Sequence, residues 1–153
     1  MLLTAPTKHL TKMRKELEEL LCTLSVVKQN VQGRHWTLQG AEYRSWHLQF
    51  GEIYDYLSDA VDAVAEIIVQ EDIVPVPPHT MRAFIKGSSI QEQEEVGIIE
   101  EMIKATAEEL ALCIQFIDKT VSANVYTPSI DNDLTAIGAK LRHYRMFCTQ
   151  TLR

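Results

Sequence analysis

Apolar residues recur along this chain at spacings of three and four, in four long runs. In the first, Leu10, Met13, Leu17, Leu20, Leu24, Val27 and Val31 form one face of an amphipathic helix. The pattern predicts a helix over residues 7–36, capped by Thr7 just after Pro6. Gly33 and Gly40 bracket a short turn. A second helix is predicted over about 41–69, with the stripe Trp46, Phe50, Ile53, Leu57, Val61, Val64 and Ile68. Pro75, Pro77 and Pro78 bar its continuation. In the connector after these prolines, Thr80 to Lys86 is long enough for one or two helical turns before Gly87. Ser89-Ile90-Gln91-Glu92 has the capping-box pattern, so the third long helix is expected to open there. Its stripe is Val96, Ile99, Ile103, Thr106, Leu110, Cys113 and Ile117, and it ends near Ala123-Asn124. The fourth starts after Thr127-Pro128, with Leu134, Ile137, Leu141, Tyr144, Cys148 and Leu152 on one face.

Four long helices with matched apolar faces predict an all-α, antiparallel four-helix bundle. A helix of ~29 residues is ~43 Å long at 1.5 Å per residue. The one long connector, between the second and third long helices, carries a short extra helix. One long crossover of this kind is the ferritin-like arrangement. Residues 1–153 read as a single domain, a length that supports one sizeable core.

Composition adds exclusions. The formal net charge of -6 argues against a strongly basic nucleic-acid binder and suits a protein that attracts cations. Lys8, Lys12, Arg14 and Lys15 cluster on the exposed side of the first helix and read as a solvated face. The three cysteines, Cys22, Cys113 and Cys148, form no CxxC and fall on or beside apolar stripes. Buried reduced thiols are expected, not a disulfide framework. The start, MLLTAPTKHL, lacks the long apolar core of a signal peptide, and no run reaches the ~20 apolar residues of a membrane span. A cytoplasmic protein with no membrane partner is expected.

The polar residues of the second helix carry the candidate chemistry. His47, Asp62 and Glu66 lie off its apolar stripe. At 100° per residue, His47 and Asp62 differ by about 60° of rotation, and Asp62 and Glu66 by about 40°. They share one broad face, yet His47 and Asp62 are ~22 Å apart along the axis. One chain cannot close them on one metal ion, because ligand bonds are only ~2 Å long. Two copies of the helix paired antiparallel about a two-fold axis would bring His47 of one to Asp62 and Glu66 of the other, twice. His35 lies near His47 across the short turn. The candidate site is therefore two imidazoles from one chain and two carboxylates from its mate. Such a donor set suits Fe(II), and also zinc or manganese. Taken singly, each residue has a plainer reading: a lone helical carboxylate is usually solvated, and a lone histidine usually binds nothing. The chain has no Glu-x-x-His, the motif of the intrachain di-iron bundle.

His35-Trp36, His47 twelve residues later, and Asp62-Ala-Val-Ala-Glu66 together resemble the Dps mini-ferritins, the DNA-binding proteins from starved cells. Pro78 to Ile90, ending in Ser-Ser-Ile, is similar to that family's connector helix and the start of its third helix. Asp131 to Phe147, with His143 and Met146-Phe147, is similar to its last helix. The resemblance implies a homo-dodecameric shell that oxidises Fe(II) with hydrogen peroxide or oxygen and stores Fe(III) mineral inside. It implies ferroxidase sites shared across two-fold interfaces, with His35, His47, Asp62 and Glu66 as catalytic metal ligands. Trp36, and with it Trp46, would stand beside the site. Iron would enter through acidic three-fold pores, for which Asp131 and Asp133 are the candidates.

The chain departs from the family pattern at one ligand. An Asp is normal four residues after the second histidine, and here that residue is Gly51. Glu52 is rotated by about 100° and does not simply substitute. The family's common Ala-Glu-Arg is also altered, to Ala65-Glu66-Ile67. The leading expectation is an iron-storing, peroxide-detoxifying ferroxidase. The alternative is a cage of the same kind with an impaired centre, acting as a metal-binding or structural assembly. Strong DNA binding is not expected, because a shell of net-acidic chains repels phosphate.

Overall fold

The computed structural model describes residues 8–71, 80–93, 97–123 and 126–153. Among them are five helices: α1 Lys8–Thr37, α2 Tyr43–Gln70, α3 Met81–Gly87, α4 Ile99–Ser122 and α5 Pro128–Thr151. α1 packs along α2 and α4 along α5, and the two hairpins close through α1 on α4 and α2 on α5. The short α3 lies against α1. This is the all-α four-helix bundle with an extra connector helix that the apolar pattern predicts.

The buried face of each long helix follows its stripe. Leu17, Leu24, Val27 and Val31 of α1, Phe50, Ile53, Leu57 and Val64 of α2, Leu110 and Cys113 of α4, and Leu134, Leu141 and Cys148 of α5 are fully buried in one core. Two stripe residues sit differently. Val61 is only half-buried, with Ala60 taking the core position. Leu152, just beyond α5, is exposed. No helix among the described residues is long and apolar enough to cross a membrane. Thr7, Pro6, Pro75, Pro77, Pro78, Val96 and Asn124, and the side chains of Lys8 and Leu10, lie outside the described residues.

Two glycines are required, one by backbone conformation and one by close quarters. Gly40, in the turn between α1 and α2, has φ 122°, where a side chain is strained. A Cβ on Gly87 would lie 2.6 Å from Cys22 Sγ, so α3 reaches α1 only because residue 87 has no side chain.

The start of the third long helix needs correction. α4 begins at Ile99, ten residues after the capping-box serine. Ser89 caps nothing: its hydroxyl lies 3.1 Å from Thr23 Oγ1, which also accepts the Ser89 N–H at 3.1 Å. Asn30 then holds the next stretch, donating to Gln91 O at 3.0 Å and accepting from Gln93 N at 2.9 Å. Side chains of α1 thus satisfy backbone groups that a helix would otherwise satisfy. The connector runs along α1 before α4 starts, where Glu100 and Glu101 favour a helix N-terminus.

Candidate metal centre

The site is built from the ends of α1 and α2 upward. Arg34, one residue before His35, is 2% exposed and points into the bundle. Its guanidinium forks onto buried Glu109 of α4, at 2.6 Å to Oε2 and 2.9 Å to Oε1, and donates to Thr106 Oγ1 at 3.0 Å. Asn30, one turn earlier, also donates to Glu109 Oε1, at 2.9 Å. A bidentate, hydrogen-bonded ion pair fixes direction as well as energy. It clamps the last turns of α1, so the next residue is turned toward α2.

There His35 meets His47. The rings stack with centroids 3.8 Å apart and planes 19° from parallel. His35 Nδ1 is 2.6 Å from the His47 carbonyl, and His47 Nδ1 is 3.0 Å from the His35 carbonyl. A carbonyl only accepts, so each Nδ1 carries the hydrogen. In the neutral rings each Nε2 then keeps its lone pair, the arrangement in which a histidine ligates metal. Tyr54 meets His35 edge-on at 5.2 Å, and Tyr43 stacks on His47 at 5.2 Å. The imidazoles are thus held from both sides, and both are half-buried.

Asp62 and Glu66 are not brought to this pair within the chain. They lie further toward the C-terminus of α2, off its buried face. Among the described residues, no three His, Cys, Asp or Glu side chains gather closely enough to hold an ion. Gly51 lies directly beside the imidazoles: a Cβ built on it would be 3.4 Å from His35 Cε1 and 3.6 Å from His35 Nδ1. A side chain there would adjoin the site, and there is room for its first atom.

The other singled-out residues distribute as follows. Trp36, next in the chain to His35, is 62% exposed, whereas Trp46 is buried in the core against Phe50. Asp131, in the first turn of α5, is half-buried, and its Oδ1 accepts no hydrogen bond among the described residues. Asp133 is exposed. Lys12 and Arg14 face Glu16 and Glu18 one turn on, the solvated helix face expected of them. Cys22, Cys113 and Cys148 are all buried free thiols. Burial pushes the Cys113 and Cys148 thiols up to about 12, with Glu109 adding to the rise at Cys113.

The sequence reading missed the Asn30–Arg34–Glu109 network. A signal was present: Arg34 continues the stripe Val27, Val31 at the right spacing, and Glu109 sits between Thr106 and Leu110 on another. A charge on an apolar stripe needs a buried partner.

No family model matches the chain. It is 33% identical over 99 residues to an uncharacterized protein of Haemophilus influenzae, covering 65% of this chain and 61% of that one. It is 31% identical over 98 residues to a DNA protection during starvation protein of Porphyromonas gingivalis, covering 64% and 60%. The chain thus spans about three fifths of the length of these curated relatives. The solved structure of Dps from Staphylococcus aureus superposes with a TM-score of 0.87 at 18% identity, over 97% of this chain and 99% of that one. That fold extends over nearly the whole bundle, and the sequence likeness includes a protein named for the same family. The chain has the four-helix-bundle fold of Dps and is similar in sequence to a DNA protection during starvation protein.

Proposed function

We propose that this protein is an iron-oxidising, iron-storing mini-ferritin whose oxidation sites are shared between two-fold-related copies in a dodecameric shell. The observation that carries the reading is the reciprocal bonding of His35 and His47, which engages both Nδ1 atoms and leaves each Nε2 of the neutral rings as the donor. Two neutral imidazoles are half of a donor set for a first-row divalent ion, and carboxylates complete it. Asp62 and Glu66 supply these from the antiparallel mate, through the two-fold pairing that their spacing from His47 requires. Fe(II) is the substrate, and zinc or manganese fit the same donors.

Two Fe(II) ions give one electron each to hydrogen peroxide, which takes up two protons and leaves as two waters. The paired transfer releases no hydroxyl radical, and Fe(III) passes to the interior of the shell. Asp131 and Asp133, near the N-terminus of α5, are the proposed entry residues for iron. The chains act in the cytoplasm without a membrane partner, and net charge -6 per chain keeps the shell off DNA.

Gly51 favours a second reading, a cage of the same build with an impaired centre. Without a carboxylate beside His35, a second iron lacks one ligand. Anaerobic Fe(II) loading followed by peroxide separates the two. Fast ferric absorbance that disappears in Asp62→Ala/Glu66→Ala supports the active site. A rate equal to that variant's leaves the cage alone.

A further inference from the structure

Where α3 meets the α1–α2 hairpin lies a hollow of about 210 Å³ lined by Ser25, Lys28, Ser58, Val61, Met81 and Phe84. Lys28 is half-buried there and takes no ion pair among the described residues. The hydroxyls beside it do not supply what a free anion needs. Ser25 donates to Leu21 O at 2.7 Å and Ser58 to Tyr54 O at 3.0 Å, so each has spent its only hydrogen. The Lys28 ammonium is the one donor left in the lining, a charge without its counterpart.

The level of Lys28 points to that counterpart. His35 and His47 are level, as their reciprocal bonds require. α1 and α2 run antiparallel, so Lys28, seven residues before His35, is level with residue 54. Ser25 is then level with residue 57, in keeping with its place beside Ser58 in the hollow. In the two-fold pairing, His47 of one copy is level with the midpoint between Asp62 and Glu66 of the other. The axis therefore passes between the levels of residues 55 and 56, and Lys28 is within about 3 Å of it along the helix.

Asp55 is exposed at the same level. It precedes Asp62 by seven residues, so the two differ by only about 20° around α2. The pairing that turns Asp62 to a second copy turns Asp55 to it as well. The two Asp55 carboxylates then oppose each other at the axis, like charges that destabilise the contact unless cations stand between them. α2 offers none nearby, since its one Lys or Arg is Arg44, eleven residues away. Lys28 of the second copy comes level with residue 57, within about 3 Å of Asp55 along the helix.

We propose that Lys28 of each copy pairs with Asp55 of a second copy, so that two reciprocal ion pairs lock the two-fold contact at its axis. This rests on the two-chain site proposed above. The hollow houses the lysine stem while the ammonium reaches out to the carboxylate. Paired charges at the axis favour one register of the two helices, the register in which His47 meets Asp62 and Glu66.

A charge swap read by sedimentation velocity over a series of NaCl concentrations is the test. Lys28→Glu and Asp55→Lys should each lower the salt concentration at which the assembly dissociates several-fold. Lys28→Glu/Asp55→Lys, which restores opposite charges, should return it close to the native value. Lys28→Met keeps the stem and removes the charge, and should weaken the assembly even if Lys28→Glu fails to fold. Single variants that assemble like the native chain overturn the proposal, as does a swap no better than its parents. Inorganic phosphate that binds the native assembly but not Lys28→Met, with assembly unchanged by either reversal, gives the hollow to a free anion and also overturns it. The shared site is judged apart, by whether Fe(II) binding is lost in Asp62→Ala/Glu66→Ala. Carboxylate-dependent binding without an effect at residues 28 and 55 removes the lock alone. Rescue by the swap with carboxylate-independent binding removes the shared site alone.

Discussion

His35 and His47 are locked to each other by their own backbones: each ring Nδ1 bonds the carbonyl of the other residue, at 2.6 and 3.0 Å. Neither ring can turn without breaking both its bond and the 3.8 Å stack. The pair is preorganised before any metal or partner arrives, so little ordering cost falls on binding. Asp62 and Glu66, in contrast, stand exposed further along α2.

Gly51→Asp should strengthen the site. The first side-chain atom fits at 3.4 Å from His35 Cε1, ordinary contact distance, and places a carboxylate against the imidazoles. A roughly tenfold or greater gain in Fe(II) affinity is expected, the scale on which metal-site groups act. Titration of Fe(II) under anaerobic conditions measures it. No gain would mean that Gly51 is not a missing ligand position.

Glu109→Ala should be strongly destabilising. It strands the Arg34 guanidinium in the core and removes a bond from Asn30. Breaking a buried pair by deleting one partner costs about 3–5 kcal/mol. The midpoint of urea unfolding should fall accordingly, and a loss under about 1 kcal/mol would show that the pair is not buried in solution.

Most of the fold was legible because four stripes hold a strict helical period over many turns. The stripe residues of α1 and α5 fall in the core almost without exception. The start of α4 was not legible. Ser89-Ile90-Gln91-Glu92 carries local capping chemistry, but Thr23 and Asn30, some sixty residues away, bind its backbone and side chains instead. No local rule registers that competition. The His35–His47 pair was legible as proximity across a turn. Its tautomer-fixing bonds were not, since they depend on the depth at which α1 and α2 pack.

Asn30→Ala tests this connector. It removes the bonds to Gln91 O and Gln93 N, each worth about 1 kcal/mol net and more if a buried group is left unpaired. The Gln93 amide should exchange with solvent at least several-fold faster, while amides in the middle of α1 change little. Unchanged exchange at Gln93 would show that Asn30 does not hold the segment.

Stability should fall in alkali. Burial raises the Cys113 and Cys148 thiols from an ordinary 9.0 to about 12. Tyr126, buried and donating to Glu16, is raised as well. Between about pH 9 and 12 the unfolded chain loses these protons and the folded chain keeps them, so unfolding is favoured as pH rises. Below pH 9 the contribution is complete. Urea midpoints should drop from about pH 8 to pH 10.5, and Cys113→Ala/Cys148→Ala should flatten the drop.

The central claim, that one site draws on two chains, is tested most directly by mixing two inactive variants. His35→Ala/His47→Ala keeps only the carboxylates, and Asp62→Ala/Glu66→Ala keeps only the imidazoles. Each alone should bind no Fe(II) at the site. Co-assembled in equal amounts, mixed two-fold pairs regain one intact site of two, so roughly a quarter of all sites should bind and oxidise iron. Recovery near that level establishes the shared site. A mixture as inactive as its two components, with mixed shells verified by mass, would contradict it.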